Sequence, residues 1–314
     1  MAGIICGTGS YIPEYTMDNN DIARLVETSD EWIRERTGVV KRHIIRDETT
    51  VSMASEAGRK ALENGGVSPE EVDLILVATI SSNVVLPGTA CLVQKELGAV
   101  NAVCFDIGGA ACTGFVLAYN TAEAYLESGI YRTALVIGSE SLSCITNWKD
   151  RGTCILFGDG AAGVVVECRE DWPSIGAVLG SHGTDQMLRV PGVETDAPSL
   201  IYMEGTKVFK FAIEAVPWCI DQVLQRHGKT IEDVDFFVFH QANARIIDLV
   251  VRKYQIPLEK YYKNIQEYGN TSAASIPLVL SDLWDQGKIG AGSRLLIVGF
   301  GGGLTWGGAY VEFE

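Results

Sequence analysis

Three side chains in this sequence are of the types that acyl-transfer chemistry uses, and the first of them is Cys112. It follows the small residues 108–111 and precedes an apolar run that begins at Thr113. This pattern predicts a turn between a strand and a helix, where free backbone N–H groups and the helix dipole would stabilise a thiolate and lower the thiol pKa. A buried structural cysteine is the alternative interpretation, because cysteine is among the most buried residue types.

His240 and Asn270 are the other two candidates. His240 directly follows the apolar run 236–239, and layered α/β proteins bind ligands at the carboxyl ends of their strands. Asn270 lies in the small-residue run 268–275 before a predicted helix, although a helix cap or a turn residue would also explain an asparagine there. The remaining histidines stand in a basic segment, a loop and a helix end, where none needs a function: His43, His182 and His227.

The elements that would position these residues recur along the chain. The apolar run 71–77 returns at 233–239 with an offset of 234 − 72 = 162, and the run 134–138 returns at 295–299 with an offset of 299 − 138 = 161. A looser match joins 158–167 to 301–312. Helical patterns separate the strands, at 52–64, 112–127, 208–226, 244–254 and 275–286. We therefore predict βαβ units in two similar halves that share one core. Chance matching of short apolar runs is the alternative.

The composition excludes several classes of protein. The 314 residues include 47% apolar and 21% charged residues and 34 glycines, which is typical of a globular enzyme. A net charge of −15 argues against nucleic-acid binding. No apolar run reaches the roughly 18 residues of a membrane span, and no export signal is recognised. Because the eight cysteines include no CxxC pair, we expect reduced thiols in the cytoplasm.

The motifs around the three candidates resemble the β-ketoacyl-acyl-carrier-protein synthase III family of thiolase-fold condensing enzymes. They are Cys112 in AACTGF, His240 in HQAN, Asn270 in YGNTSAAS and the run GFGGGLTWG at 299–307. The likeness extends from the first strand to the last residues and includes FGDG at 157–160. It implies a thiolase-like layered α/β/α/β/α fold with mixed, largely parallel sheets. Residues 1–170 would form the half that carries Cys112, and residues 171–314 the half that carries His240 and Asn270.

The resemblance also implies a reaction. An acyl-CoA primer would acylate Cys112, and malonyl-acyl carrier protein would then lose CO2 and accept the acyl group, which initiates type II fatty acid biosynthesis. Backbone N–H groups of Cys112 and Gly302 would form an oxyanion hole, with each donor contributing roughly 3–4 kcal/mol. His240 and Asn270 can both donate hydrogen bonds to an enolate while neutral. Residues 299–307 lack the second cysteine expected of a thiolase proper, which favours decarboxylation.

Further roles follow from the resemblance alone. The residues expected to bind CoA are Thr28, Trp32, Arg36, Arg151 and Asn243. Adenine would lie between Trp32 and Arg151. The expected acyl pocket consists of Leu86, Leu142, Phe157, Leu188 and Met203. Leu86 would reach into it across a homodimer interface. Some relatives have Phe at position 86, so we expect longer or branched primers here. Gly205-Thr206 departs from the family's usual Gly-Asn, which puts one pantetheine contact in doubt. We expect no metal and no cofactor, since CoA enters as a thioester substrate.

Basic side chains spaced for one helix face could dock an acidic carrier protein. From periodicity alone, a solvated surface is an equally good interpretation. These side chains are Lys207, Lys210, Arg245, Arg252 and Lys253. Two other functions remain open. A thiolase-fold acyltransferase or ketosynthase of specialised metabolism would act on CoA thioesters without a carrier protein. A non-catalytic thioester-binding module is disfavoured, because binding needs no nucleophile. The sequence leaves the preferred primer, the malonyl donor, feedback control and the oligomeric state undetermined.

Overall fold

Two mixed β-sheets, with helices between them and on both outer faces, form the fold in residues 2–170, 176–192 and 198–314, which the computed structural model describes. The strands are β1 (Ala2–Tyr11), β2 (Thr16–Asp18), β3 (Lys41–His43), β4 (Leu74–Ala78), β5 (Val103–Ile107), β6 (Thr133–Glu140), β7 (Gly160–Arg169), β8 (Val178–Thr184), β9 (Leu188–Arg189), β10 (Tyr202–Met203), β11 (Phe236–Phe239), β12 (Arg294–Gly301) and β13 (Gly303–Glu312). The helices are α1 (Asn19–Ala23), α2 (Asp30–Thr37), α3 (Thr50–Gly65), α4 (Thr89–Leu97), α5 (Gly114–Glu127), α6 (Arg151–Cys154), α7 (Gly205–His227), α8 (Ala244–Tyr254), α9 (Ile265–Tyr268) and α10 (Ser275–Asp285).

The two sheets repeat one strand order. The first sheet has the order β1-β7-β6-β4-β5, and the second has the order β8-β13-β12-β11. In both sheets the first two neighbouring pairs are antiparallel and the third pair is parallel. This agreement confirms the predicted pair of similar halves. The boundary predicted between residues 170 and 171 borders residues 171–175, which lie outside the described residues, so the point of division stays a prediction.

The strand directions correct one detail of the expected fold. The sequence predicts largely parallel sheets, but four of the seven pairs that the described residues form in these two sheets are antiparallel. The parallel pairs are β4–β5, β4–β6 and β11–β12. Gly302 alone joins β12 to β13, and a connection that short links antiparallel strands. The sheets are therefore mixed, as predicted, but not largely parallel.

Five layers stack in the predicted order of helix, sheet, helix, sheet and helix. α3 and α4 pack on the outer face of the first sheet, α7 and α8 cover the second sheet, and α5 and α10 lie between the sheets. The central core contains fully buried side chains of both sheets and of α5, such as Leu76, Phe115 and Val238. α5 and α10 are apolar on most sides because both of their faces are covered. The first turns of these two helices therefore lie inside the molecule.

The helices begin and end close to the predicted residues. The predicted helix 244–254 has those bounds, and 52–64, 208–226 and 275–286 differ by at most three residues at either end. The predicted helix 112–127 instead begins at Gly114, because Cys112 lies in a separate 3-10 turn, Ala111–Thr113. Across the part of the chain that the structure describes, no helix is both long and apolar enough to span a bilayer.

Candidate active site

Cys112 lies in the tight turn that leads from β5 into α5. Ala111, the first residue of that turn, has a φ of 46°, in the left-handed region that alanine rarely occupies. Gly301 at the end of β12 lies directly against the turn. A Cβ atom on Gly301 would be 2.8 Å from the Cys112 backbone nitrogen and 2.8 Å from the Ala110 carbonyl oxygen. Since only glycine fits, the glycine-rich run brings its backbone close to the thiol-bearing turn.

Gly302 follows at the cavity wall. It lines the same cavity as Cys112, and a Cβ atom on it would meet nothing closer than the Leu188 side chain at 3.7 Å. Cys112 and Gly302 therefore line one space. Their action as an oxyanion hole stays a prediction.

Burial disfavours the ionised form of the Cys112 thiol. Only 8% of the residue is exposed, and burial raises the pKa of the thiol to about 12, against the Ser272 and Asn270 side chains, which lower it. Burial therefore acts against the lowering of this pKa that is expected from the start of α5, because a thiolate would lose the water around the sulfur. When the sulfur attacks a substrate, its proton must pass to another group.

His240 directly follows β11, and its backbone N–H donates to the Val298 carbonyl at 2.8 Å. The side chain is 2% exposed and packs edge-on against Phe300, with ring centroids 5.2 Å apart. Burial lowers the pKa of His240 to about 3, so the imidazole is neutral. Its Nε2 atom is buried and has no hydrogen-bond partner among the described residues.

Ser275, the first residue of α10, determines which imidazole nitrogen carries the proton. Its Oγ lies 2.6 Å from His240 Nδ1 and accepts the backbone N–H of Gln241 at 3.2 Å. Nδ1 is the one acceptor that the described residues offer to the Ser275 hydroxyl hydrogen. If Ser275 donates to Nδ1, the proton of the neutral ring is on Nε2. We assign this tautomer, in which His240 presents an N–H donor.

Asn270 is held by hydrogen bonds at its backbone and at its side-chain oxygen. The backbone N–H donates to the Leu156 carbonyl at 2.8 Å, and the Asn270 carbonyl accepts from the Gly158 N–H at 3.1 Å. Oδ1 accepts the Ser272 backbone N–H at 2.9 Å, which leaves the Nδ2 amide as the donor. Asn270, His240 and Cys112 line one cavity of about 90 Å³. The structure thus brings together the three residues that the sequence singles out.

A second cavity of about 390 Å³ adjoins the first, since Cys112, Phe157 and Leu188 line both. Three predicted acyl-pocket residues lie on its wall: Leu142, Phe157 and Leu188. Met203 instead lines the smaller cavity. Leu86 lines neither of them and is 87% exposed. Within one chain, therefore, the structure does not bring Leu86 to the acyl pocket.

The predicted adenine site is closed. The Arg151 guanidinium lies over the Trp32 ring at 4.7 Å from its centroid, and the Arg36 guanidinium lies at 5.9 Å. Arg151 also donates to the Glu27 carbonyl at 3.2 Å. Adenine can enter between Trp32 and Arg151 only when the guanidinium leaves the ring face. Thr28, on the same segment, has a buried hydroxyl that is without a hydrogen-bond partner in the described ranges.

Asn243 connects this segment to the cavity. Its Oδ1 accepts the Arg245 N–H at 2.9 Å as the N-cap of α8, and its Nδ2 donates to the Arg36 carbonyl at 2.9 Å. The residue also lines the cavity that holds Cys112, as does Gly205. A pantetheine arm that runs from Trp32 to Cys112 would pass both of them.

The five basic residues predicted to dock a carrier protein are exposed on α7 and α8. Arg245 stacks over Phe209 at 5.5 Å from the ring centroid, and Phe209 lines the cavity that contains Cys112. Lys207 pairs with Glu204 at 2.7 Å. Arg245 therefore lies beside the cavity, and Lys207 and Lys210 are neighbours in the chain of cavity-lining residues of α7. Arg252 and Lys253 are in the last turn of α8.

Several residues of the site were not predicted from the sequence. Ser272 lines the larger cavity, Ser275 contacts His240, and Glu140 is fully buried at the end of β6 and acts on the Cys112 pKa. The two serines belong to the YGNTSAAS motif, so their neighbourhood was visible. Nothing in the sequence singled out Glu140, because a glutamate at the end of a predicted strand is usually interpreted as a solvated residue. Among the described residues no group of three or more His, Cys, Asp and Glu side chains could hold a metal ion.

Comparisons with known proteins agree with one another. Residues 105–183 match the family model for 3-oxoacyl-[acyl-carrier-protein] synthase III, and residues 224–313 match the model for its C-terminal part. The chain is 44% identical over 319 residues to the β-ketoacyl-[acyl-carrier-protein] synthase III of Clostridium acetobutylicum, with 98% of each chain covered.

Two solved structures extend this similarity. One is the 3-oxoacyl-[acyl-carrier-protein] synthase III of Aquifex aeolicus, with a TM-score of 0.94 and 42% identity over 99% of this chain and 100% of that chain. The other is the priming β-ketosynthase of the R1128 polyketide pathway, with a TM-score of 0.94 and 36% identity over 99% of this chain and 96% of that chain.

Proposed function

This chain belongs to the β-ketoacyl-[acyl-carrier-protein] synthase III family of condensing acyltransferases of fatty acid biosynthesis, and on that premise we propose that it catalyses a decarboxylative Claisen condensation through an acyl-Cys112 intermediate. The observation that carries the proposal is the shared cavity of Cys112, His240 and Asn270. It combines one nucleophile with two neutral hydrogen-bond donors.

In the first stage the Cys112 sulfur attacks the carbonyl of an acyl-CoA primer, and CoA leaves as the acyl-enzyme forms. The developing oxyanion lies in the space that Cys112 and Gly302 line, and their backbone N–H groups donate to it. Because the Gly301 backbone reaches within van der Waals contact of the turn, these donors are fixed before substrate arrives. Preorganised donors of this kind contribute roughly 3–4 kcal/mol each to the transition state.

In the second stage a malonyl thioester loses CO2, and the enolate attacks the acyl group on Cys112. The enolate oxygen needs donors that do not protonate the carbanion. His240 suits this role because its pKa of about 3 keeps it neutral, with the proton on Nε2 in the assigned tautomer. The Asn270 amide supplies the second donor. The products are β-ketoacyl-acyl carrier protein, CO2 and the free enzyme, and no cofactor takes part.

The primer occupies the larger cavity. With about 390 Å³, this cavity has room for several carbon atoms beyond an acetyl group, given that one water takes about 30 Å³ in the liquid. We therefore propose longer or branched acyl-CoA primers. CoA itself lies along Asn243 towards Trp32, Arg36 and Thr28, and Arg151 moves off the Trp32 ring so that adenine stacks between them.

The malonyl donor is an acyl carrier protein that docks on the basic residues of α7 and α8. The enzyme carries a net charge of −15, so an acidic partner needs a local positive surface. Lys207, Lys210 and Arg245 supply one beside the cavity, because Arg245 stacks on the cavity-lining Phe209. Arg252 and Lys253 extend it along α8.

The active unit is a homodimer formed at the β5 edge of the first sheet. β5 is the last strand of that sheet, and its exposed side leaves backbone groups available for another strand. Val85 and Leu86 are 89% and 87% exposed in the nearby loop, which is unusual for large apolar side chains. In the dimer Leu86 would enter the acyl pocket of the partner subunit. We also propose a cytoplasmic location, since a nucleophilic thiol acts only where it stays reduced.

One assay tests the proposal. The enzyme is incubated with a panel of acyl-CoAs and examined by intact-protein mass spectrometry, and malonyl-acyl carrier protein or malonyl-CoA is then added. We expect an acyl adduct that disappears in Cys112→Ser and remains in Cys219→Ser, whose thiol is also buried with a pKa of about 12. CO2 and β-ketoacyl product should follow with the carrier protein, with a higher KM in Arg245→Glu. Failure of every acyl-CoA to label Cys112 would refute the acyl-enzyme.

The similarity to the R1128 priming β-ketosynthase supports a second candidate, a ketosynthase of specialised metabolism that acts on CoA thioesters. The same assay separates the two. Equal rates with malonyl-CoA and malonyl-acyl carrier protein, unchanged in Arg245→Glu, would favour the second candidate. A strong preference for acetyl-CoA over isobutyryl-CoA would contradict the proposed primer class.

A further inference from the structure

Glu140 is a buried carboxylate for which the proposed mechanism has no use. It ends β6, is fully buried, and its Oε2 atom accepts hydrogen bonds from Ser81 Oγ at 2.5 Å, the Ile80 N–H at 3.1 Å and Thr79 Oγ1 at 3.3 Å. Its other oxygen, Oε1, is also buried but is left without a hydrogen-bond partner in the described residues. A buried carboxylate with one satisfied and one free oxygen can accept a proton on the free side.

Ser272 belongs to the turn on which the strand of this carboxylate packs, and it also lines a cavity with Cys112. Gly138, two residues before Glu140, approaches the turn Ser272–Ala274 so closely that a Cβ atom would lie 2.3 Å from the Ala273 carbonyl oxygen. Ser272 Oγ is buried and, like Glu140 Oε1, lacks a hydrogen-bond partner within the described ranges. Ser272 Oγ and Glu140 Oε1 are therefore two unsatisfied polar atoms in the region where β6 packs on the Ser272 turn.

The electrostatic influences on the three groups agree with this geometry. After burial, the largest influences on the pKa of the Cys112 thiol are the Ser272 hydroxyl, which lowers it, and the Glu140 charge, which raises it. Burial raises the pKa of the Glu140 carboxyl, and the Ser272 hydroxyl is among the groups that lower it. Because the Glu140 charge raises the pKa of the Cys112 thiol, the thiolate forms more readily when Glu140 takes up a proton.

We propose that Ser272 and Glu140 form a relay that takes the thiol proton of Cys112 during acylation and returns it at the end of the condensation. Because it concerns the acyl-enzyme, this inference rests on the proposed function. As the sulfur attacks the thioester, the S–H proton passes to Ser272 Oγ, and the Ser272 hydroxyl proton passes to Glu140 Oε1. CoA leaves as a thiolate, which is protonated by solvent.

The return step balances the cycle. When the enolate displaces the acyl group, the S–C bond to Cys112 breaks and the sulfur leaves as a thiolate. Glu140 then returns its proton through Ser272, which restores the neutral thiol. Over one turnover the enzyme is unchanged, and one solvent proton ends on CoA. His240 is not the acceptor in this scheme, because the contact of Nδ1 with Ser275 leaves the ring proton on Nε2.

The test is the pH dependence of acylation in Glu140→Gln and Ser272→Ala, measured by rapid quench and mass spectrometry of the adduct. At pH 7 we expect both variants to acylate about 10²–10⁴-fold more slowly than the wild type, the usual contribution of a positioned acid or base. Their rates should rise about tenfold per pH unit as the thiol ionises without the relay, so the deficit shrinks towards pH 10. A purely structural defect would not be repaired by raising the pH.

Two matched variants serve as controls. Glu123→Gln removes another buried carboxylate, which accepts the Gly3 N–H at 2.9 Å, and Ser55→Ala removes another buried hydroxyl without a partner among the described residues. Both should acylate at the wild-type rate at every pH. Glu140→Gln should also decarboxylate malonyl thioester, which requires the fold, His240 and Asn270 but not the relay. If Glu140→Gln does not fold, Ser272→Ala carries the same comparison.

Three results would overturn the relay. These are a wild-type acylation rate in the folded Glu140 or Ser272 variant at pH 7, a loss of equal size at every pH, and the same pH-dependent loss in His240→Gln alone. The last would identify the histidine as the proton acceptor. A wild-type enzyme that forms no adduct would instead refute the proposed function.

Discussion

The turn before α5 and the turn before α10 have closely similar backbones. Each is a 3-10 segment, Ala111–Thr113 in one half and Ser272–Ala274 in the other, and the offset is 272 − 111 = 161 residues. Ala111 and Ser272, the first residues, have φ values of 46° and 48°. Each turn leads into a helix that lies between the two sheets. Two non-glycine residues in the left-handed region at matching positions indicate a backbone that the fold imposes in both halves.

The side chains on these two turns differ completely. Cys112 corresponds to Ala273, so the second turn has no thiol where the first has one. Conversely, Asn270, Ser272 and Ser275 of the second turn correspond to Gly109, Ala111 and Gly114 of the first. One turn therefore carries a single reactive group among small residues, while the other carries hydrogen-bonding groups. Under the proposed function, the first turn would hold the acyl group and the second would stabilise the developing charge.

The strand ends extend this division. β12 brings Gly301 against the Cys112 turn, and β6 brings Gly138 and Glu140 against the Ser272 turn. Gly301 corresponds to Glu140, since 301 − 140 = 161. At one strand end the missing side chain lets the Gly301 backbone lie against the Cys112 turn, and at the other end the residue is a buried carboxylate.

The largest expected effects come from separate variants that remove Cys112 from the first turn and Asn270 from the second. Cys112→Ala should lower condensation by at least about 10⁴-fold, because no acyl-enzyme can form, but should still decarboxylate malonyl thioester. Asn270→Ala should lower condensation by about 10²–10³-fold through loss of one donor, yet should still form the acyl adduct. The measurements are product formation, CO2 release and intact mass. If both variants lose both partial reactions together, the division of roles between the turns is wrong.

Much of this comparison was visible in the sequence, for physical reasons. The runs 134–138 and 295–299 are apolar throughout because they are buried strands, and this made the 161-residue offset detectable. Cys112, His240 and Asn270 stand directly at strand or helix ends, where residue type and position together predict a site. The close approach of Gly301 to the Cys112 turn was not predicted, since the family resemblance pointed to Gly302 only.

The parts that could not be predicted depend on contacts between the halves. Whether the Cys112 pKa falls or rises depends on how much water reaches the sulfur, which no local pattern reports. Glu140 is 28 residues from Cys112 in the chain and becomes its neighbour only through the packing of β6 on the second turn. The antiparallel majority among the strands likewise follows from connections such as the single residue Gly302.

A smaller effect, on stability, tests the close approach of Gly301 at the end of β12. In Gly301→Ala the added Cβ would lie 2.8 Å from two backbone atoms of the Cys112 turn, which cannot move as a flexible side chain would. We expect the free energy of unfolding to fall by about 1–3 kcal/mol, as for other overpacked sites, with slower acylation. Gly302→Ala is the matched control, because its nearest atom would be at 3.7 Å. Equal stability of the two variants in urea unfolding would contradict the close approach.

A pH-dependent effect concerns the residues that follow β4 and β11, which are Thr79 and His240 at an offset of 240 − 79 = 161. Only the second of these titrates. Burial lowers the pKa of His240 to about 3, whereas an unfolded histidine titrates near about 6.5. Below about pH 6.5 the unfolded chain therefore binds a proton that the folded chain does not, and the wild type should lose up to about 1.4 kcal/mol of unfolding free energy per pH unit from this group. The stability difference between wild type and His240→Gln should change between pH 6.5 and 4, measured by urea unfolding, and be constant above pH 7. Asn270→Ala removes no titrating group from the same cavity and should show a constant stability difference from the wild type throughout. If the difference for His240→Gln is constant as well, the folded enzyme protonates this imidazole below pH 6.5 as readily as the unfolded chain does.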